Sequence, residues 1–338
     1  MSTPTALGLT AINSALSEHL ESTITVAARC ALPWLDGGLR PLLTRPGKRL
    51  RPALLFATAA CGRDMDRAAA VKCAASLELM HLSSLIHDDL MDQADTRGGV
   101  PTLHKTIGPD GAIVGGDYLL AVGGRLAAEV AAESAVVWHQ SYADLCFGQA
   151  SETANRYRTD TTIAEYLTAV RGKTAALMRA ACRLGAVCGG LGPAEVDAFS
   201  EFGEAFGMVF QLVDDVMDVF SSIDLWAKPV EQDVPNGVYT PCVLAAFDDR
   251  LPGSDSRVRD LLGPAMTAHD VRRVYEQVRR AGVSAALDLV DQYVTKAELA
   301  LSWLPSSPAL TAVVELPRLY VTGAVRSKVD PRFGLRAS

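Results

Sequence analysis

Two stretches decide how this chain is read: Ser84-Leu85-Ile86-His87-Asp88-Asp89-Leu90-Met91-Asp92 and Val209-Phe210-Gln211-Leu212-Val213-Asp214-Asp215-Val216-Met217-Asp218. Each sets the pattern D-D-x-x-D into apolar sequence, and Leu77, Met80, Leu82, Leu85 and Ile86 lead into the first at close to helical spacing. Residues four apart share a helix face, so Asp88 and Asp92 project together, and so do Asp214 and Asp218. Carboxylates within apolar helices are costly unless they are paired or bind metal. Two clusters facing each other would suit hard divalent cations; magnesium takes oxygen ligands, keeps several waters and bridges to substrate phosphates. A single motif would be equally consistent with a solvated acidic face. Two identical motifs in matching contexts point to metal-dependent chemistry on a phosphorylated substrate.

The rest of the chain supplies a helical frame. It has 338 residues, 49 % of them hydrophobic, enough for a substantial core. Alanine is abundant and aromatics are few, which favours helix. Helices are expected at about 1–25, 67–95, 112–131, 134–156, 163–190, 194–220, 268–303 and 308–325. Pro33 to Pro46 reads as a turn-rich connection, Gly108–Gly111 as a break, and 221–241 as a loop marked by Pro229, Pro235 and Pro241. No linker or strand alternation stands out, so residues 1–338 read as one large all-α domain. The net charge of −7 argues against nucleic-acid binding, which calls for a basic footprint. The seven cysteines form no C-x-x-C pair and read as small buried apolar residues of a reducing compartment. With neither a signal-peptide pattern nor an uninterrupted apolar run of about 18 residues, no transmembrane segment is expected and a cytoplasmic location is the default.

Around the aspartate motifs the chain resembles the trans-isoprenyl diphosphate synthase (polyprenyl synthetase) family over roughly residues 40–325. Gly47-Lys48-Arg49-Leu50-Arg51-Pro52 resembles the family's early basic motif, His81 stands seven residues before Asp88, and Arg97 follows the first motif. Lys173-Thr174 matches a lysine–threonine pair at a helix kink, Phe210-Gln211 precedes the second motif, and Lys228 and Asp233 fall on the family's loop. Gly116-Asp117-Tyr118-Leu119 and Gly148-Gln149 fit as well. Read alone, Lys48, Arg49 and Arg51 would be a solvated cluster and His81 an ordinary histidine; their order around both motifs is what carries the likeness.

The resemblance implies a helical bundle of the isoprenoid synthase type with a central cavity. It implies ionisation of an allylic prenyl diphosphate with Mg2+, three ions with substrate bound, and condensation with isopentenyl diphosphate to a longer trans-prenyl diphosphate. Asp88, Asp92, Asp214 and Asp218 would hold metal, with Asp89 and Asp215 behind them. Lys48, Arg51 and His81 would bind isopentenyl diphosphate; Arg97, Lys173, Thr174, Gln211 and Lys228 would contact the allylic diphosphate. The carbonyl and hydroxyl of Thr174 and the amide of Gln211 would face the cation. The released diphosphate would take the final proton, which fits the lack of an obvious protein base. Ser84 and Ser83, the fourth and fifth positions before Asp88, leave room for a C20 or longer chain, while Met80 and Leu79 lie deeper. A homodimer is expected.

Three positions depart from the family pattern. Arg97 is followed by Gly98 where the family has a second arginine that binds isopentenyl diphosphate. Val238 stands where a lysine is usual, and Ala227 replaces the glycine before the loop lysine. A charged hydrogen bond contributes about 1.5–3 kcal/mol, so each lost contact weakens binding without abolishing turnover. Restoring arginine at position 98 is expected to strengthen isopentenyl diphosphate binding. The alternatives keep the fold and change the acceptor: an aromatic or other nucleophile, or the substrate's own alkene, as in a terpene cyclase. A non-catalytic regulatory subunit is a third reading, opposed by the intact aspartate motifs.

Overall fold

The computed structural model describes residues 14–45, 47, 49–220 and 232–325. These fold into α-helices joined by short turns: α1 (Ser14–Ala27), α2 (Pro33–Leu43), α3 (Leu50–Ala59), α4 (Arg67–Met91), α5 (Leu103–Ala128), α6 (Ala132–Asn155), α7 (Ile163–Val170), α8 (Ala176–Cys188), α9 (Pro193–Phe220), α10 (Pro241–Ala246), α11 (Ala268–Gln277), α12 (Val283–Leu301) and α13 (Pro308–Val325). The all-α class expected from sequence is the observed one. Among the described residues strand structure is confined to one two-residue ladder, Thr96–Arg97 antiparallel to Val100–Pro101.

Local chemistry sets the helix ends. Asp66 caps α4, its carboxylate accepting from the Ala69 N–H at 3.0 Å. Thr162 with Glu165, and Thr267 with Asp270, form reciprocal capping boxes that start α7 and α11. α5 carries a kink at Gly108 (φ 82°), followed by Pro109, where the sequence marked a break. The turn-rich reading of Pro33–Pro46 is corrected: Pro33–Leu43 is helical. Pro33 sits in the first turn, where its missing N–H costs nothing, and Leu35, Leu39 and Leu43 bury one face at four-residue spacing. α10 begins directly on Pro241, the last residue of the stretch 221–241 expected to be loop, for the same reason.

The chain forms two compact units. One comprises residues up to Ala143 with Leu177–Gly203 and Leu304–Val313; the other comprises Asp144–Ala176, Glu204–Trp303 and the residues from Val314 on. In the first, α4 packs along α5 and buries Leu77, Leu79, Met80 and Ile86. Of the described helices only α4 is long and apolar enough to cross a membrane by length and composition, yet 67 % of that window is buried inside the protein, as in a core helix. In the second, Val216 and Val219 of α9 join Val243, Phe247, Val274 and Tyr275 in one apolar cluster that anchors the end of α9. Cys73, Cys182, Cys188 and Cys242 are buried as small apolar residues, whereas Cys146 is exposed.

An ion-pair network ties the first unit together. Arg49, in a left-handed conformation (φ 43°), donates to both oxygens of Glu21 at 2.7 and 2.8 Å and to Glu78 at 2.6 Å. Glu78 is 4 % exposed on α4. Arg49 is thus committed to holding α1, α3 and α4 together, although it lies within the basic motif. Arg49→Leu should strand the Glu78 carboxylate and lower the unfolding free energy by about 3–5 kcal/mol, measured by urea denaturation; a loss under about 1 kcal/mol would show the network to be a surface feature.

Candidate active site

Each aspartate cluster lies at the C-terminal end of a long helix, where the macrodipole is negative and adds to the cost of holding anions. In the first unit, Asp88 and Asp89 occupy the last turn of α4 and Asp92 is its C-cap. Asp88 is half-buried, Asp92 exposed and Asp89 buried. Asp89 accepts from Arg97 Nε at 2.8 Å and Nη2 at 2.7 Å. The innermost carboxylate is thereby neutralised by the arginine that the sequence assigns to an allylic diphosphate, while Asp88 and Asp92 lie towards solvent. The small ladder at 96–101 is what carries Arg97 back to the end of α4.

The basic residues of this unit surround His81. Burial first, then the charges of Arg51, Arg97 and Arg49, hold its imidazole well below the usual histidine range, so it is neutral at pH 7. Arg51 is itself desolvated, which lowers its affinity for a proton, and its buried Nε has no hydrogen-bond partner among the described residues. Such an orphaned donor is costly unless an anion accepts from it. Ser83 is fully buried and Ser84 half-buried, its hydroxyl donating to the His81 carbonyl at 2.8 Å.

In the second unit, Asp214 is exposed, Asp215 buried and Asp218 half-buried on the last turns of α9. A hydrogen-bonded chain runs through the cluster: Thr174 Oγ1 donates to Gln211 Oε1 at 2.8 Å, Gln211 Nε2 donates to Asp215 at 3.0 Å, and the Tyr166 hydroxyl donates to the other Asp215 oxygen. With its proton engaged, the buried Thr174 hydroxyl has only its lone pairs left to offer a neighbouring group. Burial pushes the Asp215 carboxyl up to about 7 against the lowering effect of these hydrogen bonds. Asp218 accepts from the Tyr275 hydroxyl at 2.8 Å, and burial raises it too. Asp233 is held well above the usual range by burial and by Asp218, Asp215 and Asp214 nearby. The part of these shifts that comes from neighbouring negative charge also favours other cations near the cluster.

Lys173 and Thr174 lie in a π-helical turn, Arg171–Ala175, between α7 and α8. Such turns break the regular ladder and recur at functional sites. Its packing requires glycine on both sides: a Cβ on Gly148 would lie 2.1 Å from the Lys173 nitrogen, and one on Gly172 would lie 2.4 Å from the Asp144 carbonyl oxygen. Lys173 Nζ donates to Glu152 at 2.6 Å. Glu152, Tyr166 and Tyr275 were not singled out from sequence; each reaches its partner only through the fold, across 21, 49 and 57 residues. Lys48, Lys228 and Ala227 lie outside the described residues.

The donor set fits a hard divalent ion, since both clusters offer only carboxylate oxygens. Among the described residues no group of three or more His, Cys, Asp and Glu side chains is placed to hold a metal ion by itself. Water and phosphate oxygens would therefore have to complete the shell of a magnesium ion here.

A family model described as polyprenyl synthetase matches residues 32–278. The chain belongs to the polyprenyl synthetase family. It is 34 % identical to a nonaprenyl diphosphate synthase of Mycobacterium tuberculosis over 88 % of this chain and 89 % of that protein. It is 33 % identical to a geranylgeranyl diphosphate synthase of the same organism, over 88 % and 87 %. Among solved structures, that of a geranylgeranyl pyrophosphate synthase from Corynebacterium glutamicum complexed with calcium and isoprenyl diphosphate superposes with a TM-score of 0.82, at 30 % identity, covering 94 % of this chain and 98 % of that one. The polyprenyl synthetase described here is therefore a prenyltransferase of the all-α isoprenoid synthase fold.

One expectation is corrected. Gly98 adopts φ +56°, and a Cβ there would lie 2.0 Å from Arg45 Nη2. An arginine introduced at 98 must displace Arg45 and adopt a left-handed backbone at a cost of about 1 kcal/mol or more, so the single substitution does not simply restore a contact. The π-helical turn yields a sharper prediction. Gly148→Ala should lower melting stability by about 1–3 kcal/mol and reduce turnover at least tenfold by displacing Lys173 and Thr174; unaltered activity would show that the position of this turn is not critical.

Proposed function

We propose that this enzyme ionises an allylic prenyl diphosphate with magnesium and condenses it with isopentenyl diphosphate, giving a trans-prenyl diphosphate of C20 or longer. The observation that carries the reading is the pair of carboxylate clusters at helix C-termini, each backed by a hydrogen-bonded aspartate. Magnesium, held by Asp88, Asp92, Asp214 and Asp218, would stabilise charge growing on the departing diphosphate. Arg97, Lys173 and Lys228 add positive charge for the same group. Calcium and isoprenyl diphosphate in the Corynebacterium relative support divalent-metal use of this kind.

Lys48, Arg51 and His81 hold the diphosphate of isopentenyl diphosphate, which supplies the unmet acceptor for Arg51 Nε. Neutral His81 contributes one N–H donor without adding charge. The isopentenyl double bond attacks the allylic carbon as its C–O bond breaks, and diphosphate accepts the proton lost from the resulting cation. Thr174 Oγ1 and its carbonyl, with the immobilised Gln211 amide, turn negative dipole ends to the allylic cation formed as the donor ionises. Apolar side chains exclude water that would quench it. Small residues at Ser83 and Ser84 support a long product. Both compact units are read as one catalytic domain, because the family match continues across them from 32 to 278. A homodimer belongs to the same reading.

Purified protein with magnesium, geranyl or farnesyl diphosphate and labelled isopentenyl diphosphate should yield elongated diphosphates. A hydrocarbon or alcohol formed without isopentenyl diphosphate would instead mark a cyclase, and donor cleavage only with an aromatic acceptor would mark another transferase. Asp88→Ala should cut elongation by at least a hundredfold with an unchanged circular dichroism spectrum; full activity would remove Asp88 from the metal site. Ser84→Phe should shorten the product, and an unchanged product would exclude this position from chain-length control.

A further inference from the structure

We propose that Arg45 is a diphosphate-binding residue that replaces the cation missing at position 98. This inference rests on isopentenyl diphosphate being the acceptor and names a residue that the basic motif, the aspartate motifs and the family pattern leave out. Arg45 lies three residues before Lys48, beyond the edge of the quoted motif. Its side chain spans 52 residues of sequence to reach the turn after the first aspartate cluster. Nη1 donates to the Arg97 carbonyl at 2.7 Å and Nη2 donates to the Gly98 carbonyl at 3.2 Å.

The space occupied by its guanidinium is the decisive observation. A Cβ built on Gly98 would fall 2.0 Å from Nη2 and 3.1 Å from Cζ of Arg45. The guanidinium therefore fills the volume into which a side chain at 98 would begin to grow. Glycine at 98 is what admits it, both by lacking a Cβ and by accepting φ +56°. The departure from the family pattern and the unusual arginine are two halves of one arrangement.

Charge accounting supports a binding role. Among the basic residues of this unit, Arg49 is neutralised by Glu21 and Glu78, and Arg97 is paired with Asp89. Arg45 makes no ion pair among the described residues; its partners are two neutral carbonyls. Guanidinium has five N–H donors, so two held by the backbone leave three, on a charge with no carboxylate partner among the described residues. The carbonyl bonds fix the group beside Arg97, whose charge already acts on His81 together with that of Arg51. Arg45 thus holds a cation, without a carboxylate partner among the described residues, at the backbone of Arg97 and Gly98, where the family's second arginine would stand.

Calorimetric binding of isopentenyl diphosphate to the full chain, alongside the elongation assay, tests this. Arg45→Gln should raise the Kd for isopentenyl diphosphate tenfold or more, raise its KM in parallel, and change the KM for the allylic donor less than twofold. Arg45→Lys, which keeps the charge, should recover part of the loss. Gly98→Arg alone should not improve binding, whereas Arg45→Ala combined with Gly98→Arg should bind more tightly than Arg45→Ala. An unchanged Kd in Arg45→Gln, or equal losses for donor and acceptor, would overturn the role. Wild-type protein that binds isopentenyl diphosphate but never elongates would refute the proposed function while the Kd comparison still judges Arg45. Wild-type protein that does not bind it would refute both.

Discussion

Two long helices of this protein end in aspartates, where the backbone dipole already points its negative end. Holding three carboxylates at such a terminus runs against the field of the helix by a few tenths to about 1 kcal/mol per charge. It runs further against burial for Asp89 and Asp215, each 5 % exposed. The surrounding structure meets this cost in two ways. Asp89 is neutralised by Arg97. Asp215 is held by Gln211 and Tyr166, and its proton affinity rises. Of the other four carboxylates, Asp92 and Asp214 are exposed and Asp88 and Asp218 half-buried, with Asp218 accepting from Tyr275. On the proposed reading, bound metal and diphosphate offset the remaining cost.

Much of the supporting architecture serves to keep these groups in place. The π-helical turn at 171–175, pressed between Gly148 and Gly172, sets Thr174 against Gln211. Arg49, a member of the basic motif by position, is spent on joining three helices. Arg51, two residues on, retains a buried donor with no partner. Neighbouring arginines of one short motif thus differ in environment: Arg49 precedes α3 in a left-handed conformation and is ion-paired, whereas Arg51 lies in the first turn of that helix.

The sequence carried the all-α class, the two aspartate clusters and most helix limits, because apolar periodicity and caps act over a few residues. It misjudged Pro33–Leu43, since Pro33 and Pro41 read as breakers while the four-residue spacing of Leu35, Leu39 and Leu43 was the stronger signal. The lysine–threonine pair was legible; that it lies in a π-helical turn was not. The partners of the site residues were not legible. Glu152, Tyr166 and Tyr275 occupy ordinary helical positions and acquire meaning only by meeting Lys173, Asp215 and Asp218. The vacancy at Gly98 was legible as a loss; that Arg45 fills it follows from a contact 53 residues apart.

The central claim is that both carboxylate clusters act on the same step, departure of diphosphate from the allylic donor. The most direct measurement is the single-turnover rate of diphosphate release, titrated with magnesium, for Asp88→Ala, Asp214→Ala and the double variant. Residues that work as one unit give strongly non-additive losses. The account predicts that the double variant is little slower than the worse single variant and that both lose their magnesium dependence at physiological concentrations. Losses that multiply independently, or magnesium-dependent release at the wild-type rate in either single variant, would contradict it.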